Sequence, residues 1–114
     1  MCGICGIIGF YEPARSESIR KMMAVQKHRG PDDEGIFIEN NVGFGFVRLS
    51  ILDLTMSGHQ PMYSADNRYV VVYNGEIFNY IELREELKFF GYNFKTNNDT
   101  EVLLAAYQQW VVSC

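Results

Sequence analysis

The sequence has no long apolar run and no cluster of basic charge. No segment reaches the ~18 consecutive apolar residues of a membrane-spanning helix, and the first residues lack the charged-then-apolar pattern of a signal peptide. Lysine and arginine do not occur in runs and the formal net charge is −4, which argues against a nucleic-acid surface and against an anchor for anionic membranes. We therefore expect a cytoplasmic protein with a small-molecule ligand.

Cysteine is also scarce, since Cys2, Cys5 and Cys114 are the only three. An odd number makes a poor disulfide framework for a small secreted domain, so reduced thiols are expected. What the sequence does contain is apolar side chains. The 114 residues are 47% hydrophobic and 14% aromatic, which suffices for the core of one compact domain.

The first part of the chain predicts a strand, a helix and a hairpin. Residues 3–10 are apolar and punctuated by glycine, which favours a buried strand. Ser16 is a candidate N-cap for a helix over about residues 16–28, which a Gly-Pro pair would end. Residues 35–39 and 42–49 flank two asparagines that tolerate a left-handed backbone, so we expect a hairpin there.

The middle of the chain predicts a loop and then a strand. Residues 53–62 are rich in turn formers, and residues 69–73 combine β-branched and aromatic side chains, the strongest strand signal in the sequence. Asn79 and Glu82 resemble a capping box that opens a helix over residues 80–90, ended by Gly91. The side chains expected to face the core are Ile81, Leu83, Leu87 and Phe90.

The last part of the chain predicts a short strand at residues 92–95 and a final helix. That helix can be capped by Asn98, Asp99 or Thr100. Its apolar face would consist of Leu103, Ala106, Tyr107 and Trp110.

The clearest chemistry lies at the N-terminus. Cys2 follows Met1, and a second residue this small normally permits methionine aminopeptidase to remove the methionine. The exposed cysteine would then carry a thiol nucleophile and a basic α-amine on one carbon, so no distant histidine is needed. Many proteins have a small second residue, however, and Cys2 alone is weak evidence.

Several motifs together resemble one family. The opening MCGICGIIG at residues 1–9 is similar to the start of the class II glutamine amidotransferases, which are N-terminal-nucleophile hydrolases, and Cys2 falls on their nucleophile. Five further segments resemble the asparagine synthetase branch in the same order, namely HRGPD at 28–32, RLSILD at 48–53, GHQPM at 58–62, YNGEIFNY at 73–80 and DTEV at 99–102. Five motifs in register are far stronger evidence than one.

The resemblance implies a glutamine site. Cys2 would attack the side-chain amide and form a γ-glutamyl thioester, which water hydrolyses to give glutamate after ammonia has left. Asn74 and Gly75 would form the oxyanion hole. Arg48, with its guanidinium fork, would hold the substrate carboxylate, and Asp99 would pair with the substrate ammonium. Glu76 is also placed among the substrate-binding residues.

Structural roles remain open for the same residues. Arg48 could be a surface arginine after a strand, Asp99 could be only a helix cap, and Asn74-Gly75 is also a common hairpin turn.

Other features receive less weight. Cys2 and Cys5 form a C-x-x-C pair, but no second ligand pair has the spacing of a metal site, so no metal is expected. His28 and His59 are expected to pack or to hydrogen-bond loops. The acidic run at 32–34 is expected to be a solvated face.

The fold implied by the resemblance is α+β, a partial four-layer α/β/β/α sandwich of antiparallel sheets. Residues 1–114 would be the N-terminal portion of the amidotransferase domain, with the synthetase domain absent. The ammonia would serve ATP-dependent asparagine synthesis, and ATP and magnesium are expected only in that synthetase domain; the glutaminase step would need no cofactor.

The expected partners are glutamine and the C-terminal synthetase domain, with a second copy of the chain as a further candidate. The alternatives are an inactive fold fragment, a binding module, or an amidotransferase domain that supplies ammonia to a different acceptor.

Overall fold

The computed structural model describes residues 2–50 and 56–114. They fall into two compact units, one within Met1–Pro61 and Val72–Asn74 and the other formed by Met62–Val71 and Gly75–Cys114. Strands pair antiparallel in both units, which confirms the predicted α+β class. Among the described residues, no helix has the length and apolarity to cross a membrane.

The first unit is a three-stranded sheet with one helix on it. Its elements are β1 (Gly3–Ile8), α1 (Ser16–Gln26), a 3₁₀ turn (Lys27–Arg29), β2 (Asp33–Glu39), β3 (Val42–Arg48) and a second 3₁₀ turn (Met56–Gly58). The strand order is β1-β3-β2. The core between helix and sheet contains Ile19, Met23 and Val47, with Cys5, Ile7 and Ile36 packed against it.

Glycines in β3 allow α1 to approach the sheet closely. A Cβ on Gly45 would lie 2.7 Å from Cys5 Sγ and 2.7 Å from Met23 Cγ, well inside van der Waals contact. The alternation of glycine with larger residues in β3 therefore leaves one face of the strand open for the helix.

The strand predicted at residues 3–10 is shorter and more exposed than expected. It ends at Ile8, which pairs with the first residue of β3, Val42. A strand at the edge of a sheet extends only as far as its partner. Ile4 and Ile8 are 44% and 65% exposed, so the prediction of a buried strand is wrong for this face.

The predicted helix and hairpin are confirmed with shifted bounds. Arg15 is the N-cap of α1 and makes no side-chain cap bond, so Ser16 is the first helical residue rather than the cap. The hairpin turns at Asn40, whose φ of 51° is left-handed as expected, and β2 starts at Asp33.

The second unit contains two very short strands and two helices. They are β4 (Met62–Tyr63), β5 (Val70–Val71), α2 (Tyr80–Phe89) and α3 (Asp99–Trp110), followed by a 3₁₀ turn at Val111–Ser113. The strand predicted at 69–73 therefore shrinks to two residues, because β4, with which it pairs, offers only two. Of the loop predicted at 53–62, residues 53–55 lie outside the described part of the chain.

The helices of the second unit pack with part of the predicted faces, since Leu83, Leu87, Ala106 and Trp110 lie in or against the core as predicted. The buried cluster is Leu87, Val102, Ala105 and Ala106, with Tyr80, Leu83, Tyr92, Phe94 and Trp110 against it. Ile81 and Phe90 are 59% and 48% exposed, since the buried stripe of α2 runs through positions 80, 83, 84 and 87. On α3 the buried face is rotated, so that Val102 and Ala105 are buried and Tyr107 is exposed.

The strand predicted at residues 92–95 is absent, although the structure describes all four. Backbone donors at the end of this segment bond to a side chain rather than to a strand. Glu101 Oε1 accepts from Lys95 N at 2.8 Å, and its Oε2 accepts from Thr96 N at 2.7 Å. The carboxylate of α3 thus replaces the missing partner strand.

The two later helices begin differently. Asn98 caps α3, because its side chain accepts a hydrogen bond from Thr100 N at 2.8 Å. Asn79 occupies the same position on α2 but makes no side-chain cap bond, so the predicted capping box is not formed. At the other end of α2, Gly91 has a φ of 95°, in agreement with the predicted stop.

We predict that Asn98→Ala lowers the free energy of unfolding by about 1 kcal/mol, the usual effect of losing an N-cap side chain. Asn79→Ala is the matched control and should have clearly the smaller effect, because its side chain makes no cap bond. Urea denaturation of the three proteins measures the difference. Equal destabilisation by both substitutions would contradict the assignment of the caps.

Candidate functional site

Cys2 lies directly before β1 and beside the end of β3. The antiparallel register pairs Gly3 with Val47, so the start of one strand meets the end of the other. The backbone N–H of Leu49 points at the Cys2 sulfur, with a distance of 3.4 Å from Leu49 N to Cys2 Sγ. Cys2 is half-buried.

The backbone carbonyl of Cys2 accepts two hydrogen bonds. Asn74 Nδ2 and Arg29 Nε each donate to Cys2 O at 3.1 Å. The structure therefore brings two of the predicted residues, Cys2 and Asn74, into direct contact. Arg29 was not singled out from the sequence, although it belongs to the HRGPD motif; only its place in that motif could have signalled it.

Arg48 is the last residue of β3 and is only 8% exposed. Gly58 lies against its guanidinium group, because a Cβ on Gly58 would overlap Nη2 and lie 2.7 Å from Cζ. The alternative of an ordinary surface arginine is therefore wrong. The 3₁₀ turn at Met56–Gly58 packs against this buried side chain, and a Cβ at Gly58 would force the guanidinium to shift.

Acidic side chains hold the loops around Arg48. Asp32 Oδ2 accepts from Ser50 N at 2.7 Å, and Asp33 Oδ2 lies 2.7 Å from His59 Nδ1. Asp32 and Glu34 are exposed, as expected for a solvated face, and Glu34 pairs with Lys27. Asp33 is half-buried, and the loop contacts of Asp32 and Asp33 were not predicted. His59 has the loop-bonding role expected of it, while His28 is exposed.

Gln60 is a second residue to which the sequence analysis gave no role, although it belongs to the GHQPM motif. It is 5% exposed, and its Oε1 accepts a hydrogen bond from Tyr73 N at 2.5 Å. Since Tyr73 directly precedes Asn74, this bond fixes the backbone from which the Asn74 amide reaches Cys2.

The remaining predicted residues, Gly75, Glu76 and Asp99, belong to the second unit. Asp99 opens α3, and its Oδ2 accepts from Ile77 N at 3.1 Å, which ties it to the segment that carries Gly75 and Glu76. The helix cap is Asn98, so Asp99 is not explained by capping.

The hairpin alternative for Asn74-Gly75 is wrong as well. Both residues are described, and neither has a positive φ, whereas the favoured two-residue hairpin turn for Asn-Gly requires positive φ at both.

The two N-terminal cysteines have different environments. Cys5 packs against the core under α1, and burial raises the pKa of its thiol, with a smaller opposing effect from a backbone hydrogen bond at Gly45. A raised pKa keeps the thiol protonated at neutral pH and makes it a poor nucleophile. Of the two cysteines, Cys2 is the one with hydrogen-bond donors beside its sulfur and its carbonyl oxygen, an environment that suits a nucleophile.

Comparison with known proteins agrees with the family resemblance seen in the sequence motifs. A family model for the glutamine amidotransferase domain matches residues 1–114. The chain is 48% identical over 114 residues to glutamine-hydrolyzing asparagine synthetase 1 of Bacillus subtilis, a match that covers 96% of this chain and 18% of that protein.

Two further relatives carry similar names. A putative glutamine-hydrolyzing asparagine synthetase 2 of Methanocaldococcus jannaschii is 46% identical over 132 residues, covering 100% of this chain and 25% of the relative. The root asparagine synthetase of Pisum sativum is 34% identical over 112 residues, covering 96% and 19%. The chain therefore spans at most a quarter of the length of these relatives. Since the family match extends over every residue, the chain belongs to the glutamine amidotransferase domain family.

Proposed function

We propose that this chain hydrolyses glutamine to glutamate and ammonia with Cys2 as the nucleophile. The observation that carries the proposal is the convergence of polar donors on Cys2. Leu49 N approaches the sulfur at 3.4 Å, and the Asn74 amide approaches the carbonyl oxygen of the same residue at 3.1 Å.

The nucleophile is generated within one residue. Once Met1 is removed, the α-amine of Cys2 accepts the proton of the thiol, and the thiolate attacks the Cδ carbonyl of glutamine. A hydrogen bond from Leu49 N–H to the sulfur stabilises its negative charge. The amine then returns the proton to the departing ammonia, and water hydrolyses the thioester.

The oxyanion that forms during the attack needs preorganised donors. In this proposal the Asn74 amide and the Gly75 N–H donate to it. The Gln60 bond to Tyr73 N supports the assignment of Asn74, because it fixes the backbone beside that residue.

Recognition of glutamine is assigned to Arg48, Asp99 and Glu76. Arg48 lies one residue before Leu49, whose N–H contacts the nucleophile, and its guanidinium is fixed beside Gly58. It suits the substrate carboxylate. Asp99 is held by Ile77 N and would take the substrate ammonium, with Glu76 in the same segment.

The names of the relatives suggest how the ammonia is used. We propose that residues 1–114 are the N-terminal portion of an amidotransferase domain with the four-layer α/β/β/α sandwich. This domain would belong to a longer cytoplasmic asparagine synthetase. A C-terminal synthetase domain would use the ammonia with ATP and magnesium, and the glutaminase step itself would need no cofactor.

The central test compares two cysteines. In the full-length protein, Cys2→Ala should abolish glutamine hydrolysis, whereas Cys5→Ala should largely retain it, because the Cys5 thiol packs against the core under α1. Glutamate release measures both, and mass spectrometry of the acid-quenched enzyme should show a glutamyl adduct only where Cys2 is intact. Equal losses from both substitutions would refute the assignment, and a wild-type protein without glutaminase activity would favour the inactive-module alternative.

Substrate binding and chemistry should separate at Arg48 and Asn74. We expect Arg48→Ala to raise the KM for glutamine with a smaller effect on kcat, because the carboxylate contact is the same in ground and transition states. Asn74→Ala should lower kcat by about 10²–10³, the usual cost of one oxyanion donor. Steady-state kinetics distinguishes the two patterns. Unchanged turnover in Asn74→Ala would limit that residue to a structural role.

Retention of Met1 should inactivate the enzyme even when it is folded. With Met1 attached, the Cys2 nitrogen is an amide without a basic lone pair, so it cannot accept the thiol proton. Intact-mass analysis of an active preparation should show a mass lower by one methionine. Robust turnover from protein shown to retain Met1 would overturn the role of the α-amine.

A further inference from the structure

Arg84 is a buried cation without a carboxylate partner in the described part of the chain. It lies on α2 and is 8% exposed. Its guanidinium lies over the rings of Phe94 and Tyr80, with Cζ 5.0 Å and 5.8 Å from the ring centroids. Its Nε is buried and has no hydrogen-bond partner among the described residues. Burial of a charge without an anion is costly, so the guanidinium of Arg84 depends on the hydrogen bonds that it makes to uncharged groups.

Both hydrogen bonds that Arg84 makes to described residues go to the turn that precedes α3. Nη1 donates to Asn97 Oδ1 at 2.7 Å, and Nη2 donates to the backbone carbonyl of Asn98 at 3.3 Å. The planar guanidinium thus joins two successive residues of one turn, which a lysine could not do with the same geometry.

The same turn is fixed by its own hydrogen bonds. Thr96 Oγ1 accepts from Asn98 N at 3.1 Å, and it donates to Glu101 Oε2 at 2.6 Å. Asn98 in turn caps α3. The residue that follows Asn98 is Asp99. The direction of the first turn of α3 therefore depends on where Arg84 holds Asn98, and so does the position of the Asp99 Cα from which the carboxylate extends.

We infer that Arg84 is a positioning residue for glutamine recognition, which fixes the Asn98 backbone so that the Asp99 carboxylate is aimed at the substrate ammonium. The inference rests on the proposed function, in which Asp99 binds that ammonium. Ile77 N holds the side chain of Asp99 through Oδ2, and Arg84 holds the backbone of the preceding residue, Asn98, at the start of α3. Arg84 itself does not touch substrate.

A purely structural arginine would behave differently from a positioning one. Loss of stability alone would reduce the amount of folded enzyme and thus the apparent kcat, with no preference for one substrate. A positioning role predicts a rise in KM that depends on the ammonium group of the substrate. Glutaramate, which is glutamine without its α-ammonium, therefore discriminates between the two.

The experiment measures the kinetics of full-length Arg84→Met, which keeps an apolar stem but removes the hydrogen bonds. We expect the KM for glutamine to rise about tenfold, as for the loss of hydrogen bonds from a charged group, while kcat for glutamine and the KM for glutaramate stay within about twofold of the wild type. Lys88→Met is the matched control, since Lys88 is an exposed cation on the same helix paired with Glu85, and it should change neither KM.

A double mutant tests the route through Asp99. Asp99→Ala should raise the KM for glutamine and not that for glutaramate, and adding Arg84→Met should cause little further rise, because coupled residues are not additive. If Arg84→Met does not fold, Arg84→Lys replaces it, with a smaller rise of the same selectivity. An equal rise for both substrates, or no rise for glutamine, would overturn the inference alone. No effect of Asp99→Ala would overturn both the inference and the proposed role of Asp99.

Discussion

The antiparallel pairing of β1 with β3 is the constraint on which the candidate site depends. Because the register runs from Gly3 opposite Val47 to Ile8 opposite Val42, the residue before β1 is placed beside the end of β3. Cys2 therefore meets the N–H of Leu49, and Arg48 is held one residue away. Glycines on the helix side of β3 let α1 pack closely, which stabilises the pairing. A slip of one residue would move every side chain to the opposite face.

The parts of the fold that the sequence predicted are those governed by local chemistry. The turn at Asn40 and the stop at Gly91 depend on left-handed backbone, and both are where the sequence placed them. Predictions failed where a residue distant in the sequence determines whether a strand forms and how long it is. The run at 69–73 has strong strand propensity but only a two-residue partner, and the end of the segment at 92–95 bonds to Glu101 instead of a strand. Propensity cannot show what the neighbour will be.

The candidate site shows the same division between local and distant information. The family resemblance pointed to Cys2 and Asn74, and the structure places them in contact. It assigned no role to Gln60, Gly58 or Arg29, although all three lie in the matched motifs; their contacts are with backbone or side chains elsewhere in the chain. No periodicity marks such residues, because their importance lies in a single long-range hydrogen bond or in a lack of space. The folded chain shows what each of them contacts.

Buried polar side chains are concentrated next to the proposed site residues. Gln60, at 5% exposure, holds the residue before Asn74, and Arg84, at 8%, holds the residue before Asp99. Burying such groups carries a desolvation cost that an apolar side chain would avoid, and the hydrogen bonds that they do make are stronger and more rigid in a low-dielectric interior. Each unit thus uses the same device. A buried polar group fixes the backbone carbonyl or N–H of one residue, and the residue that follows it presents the functional side chain.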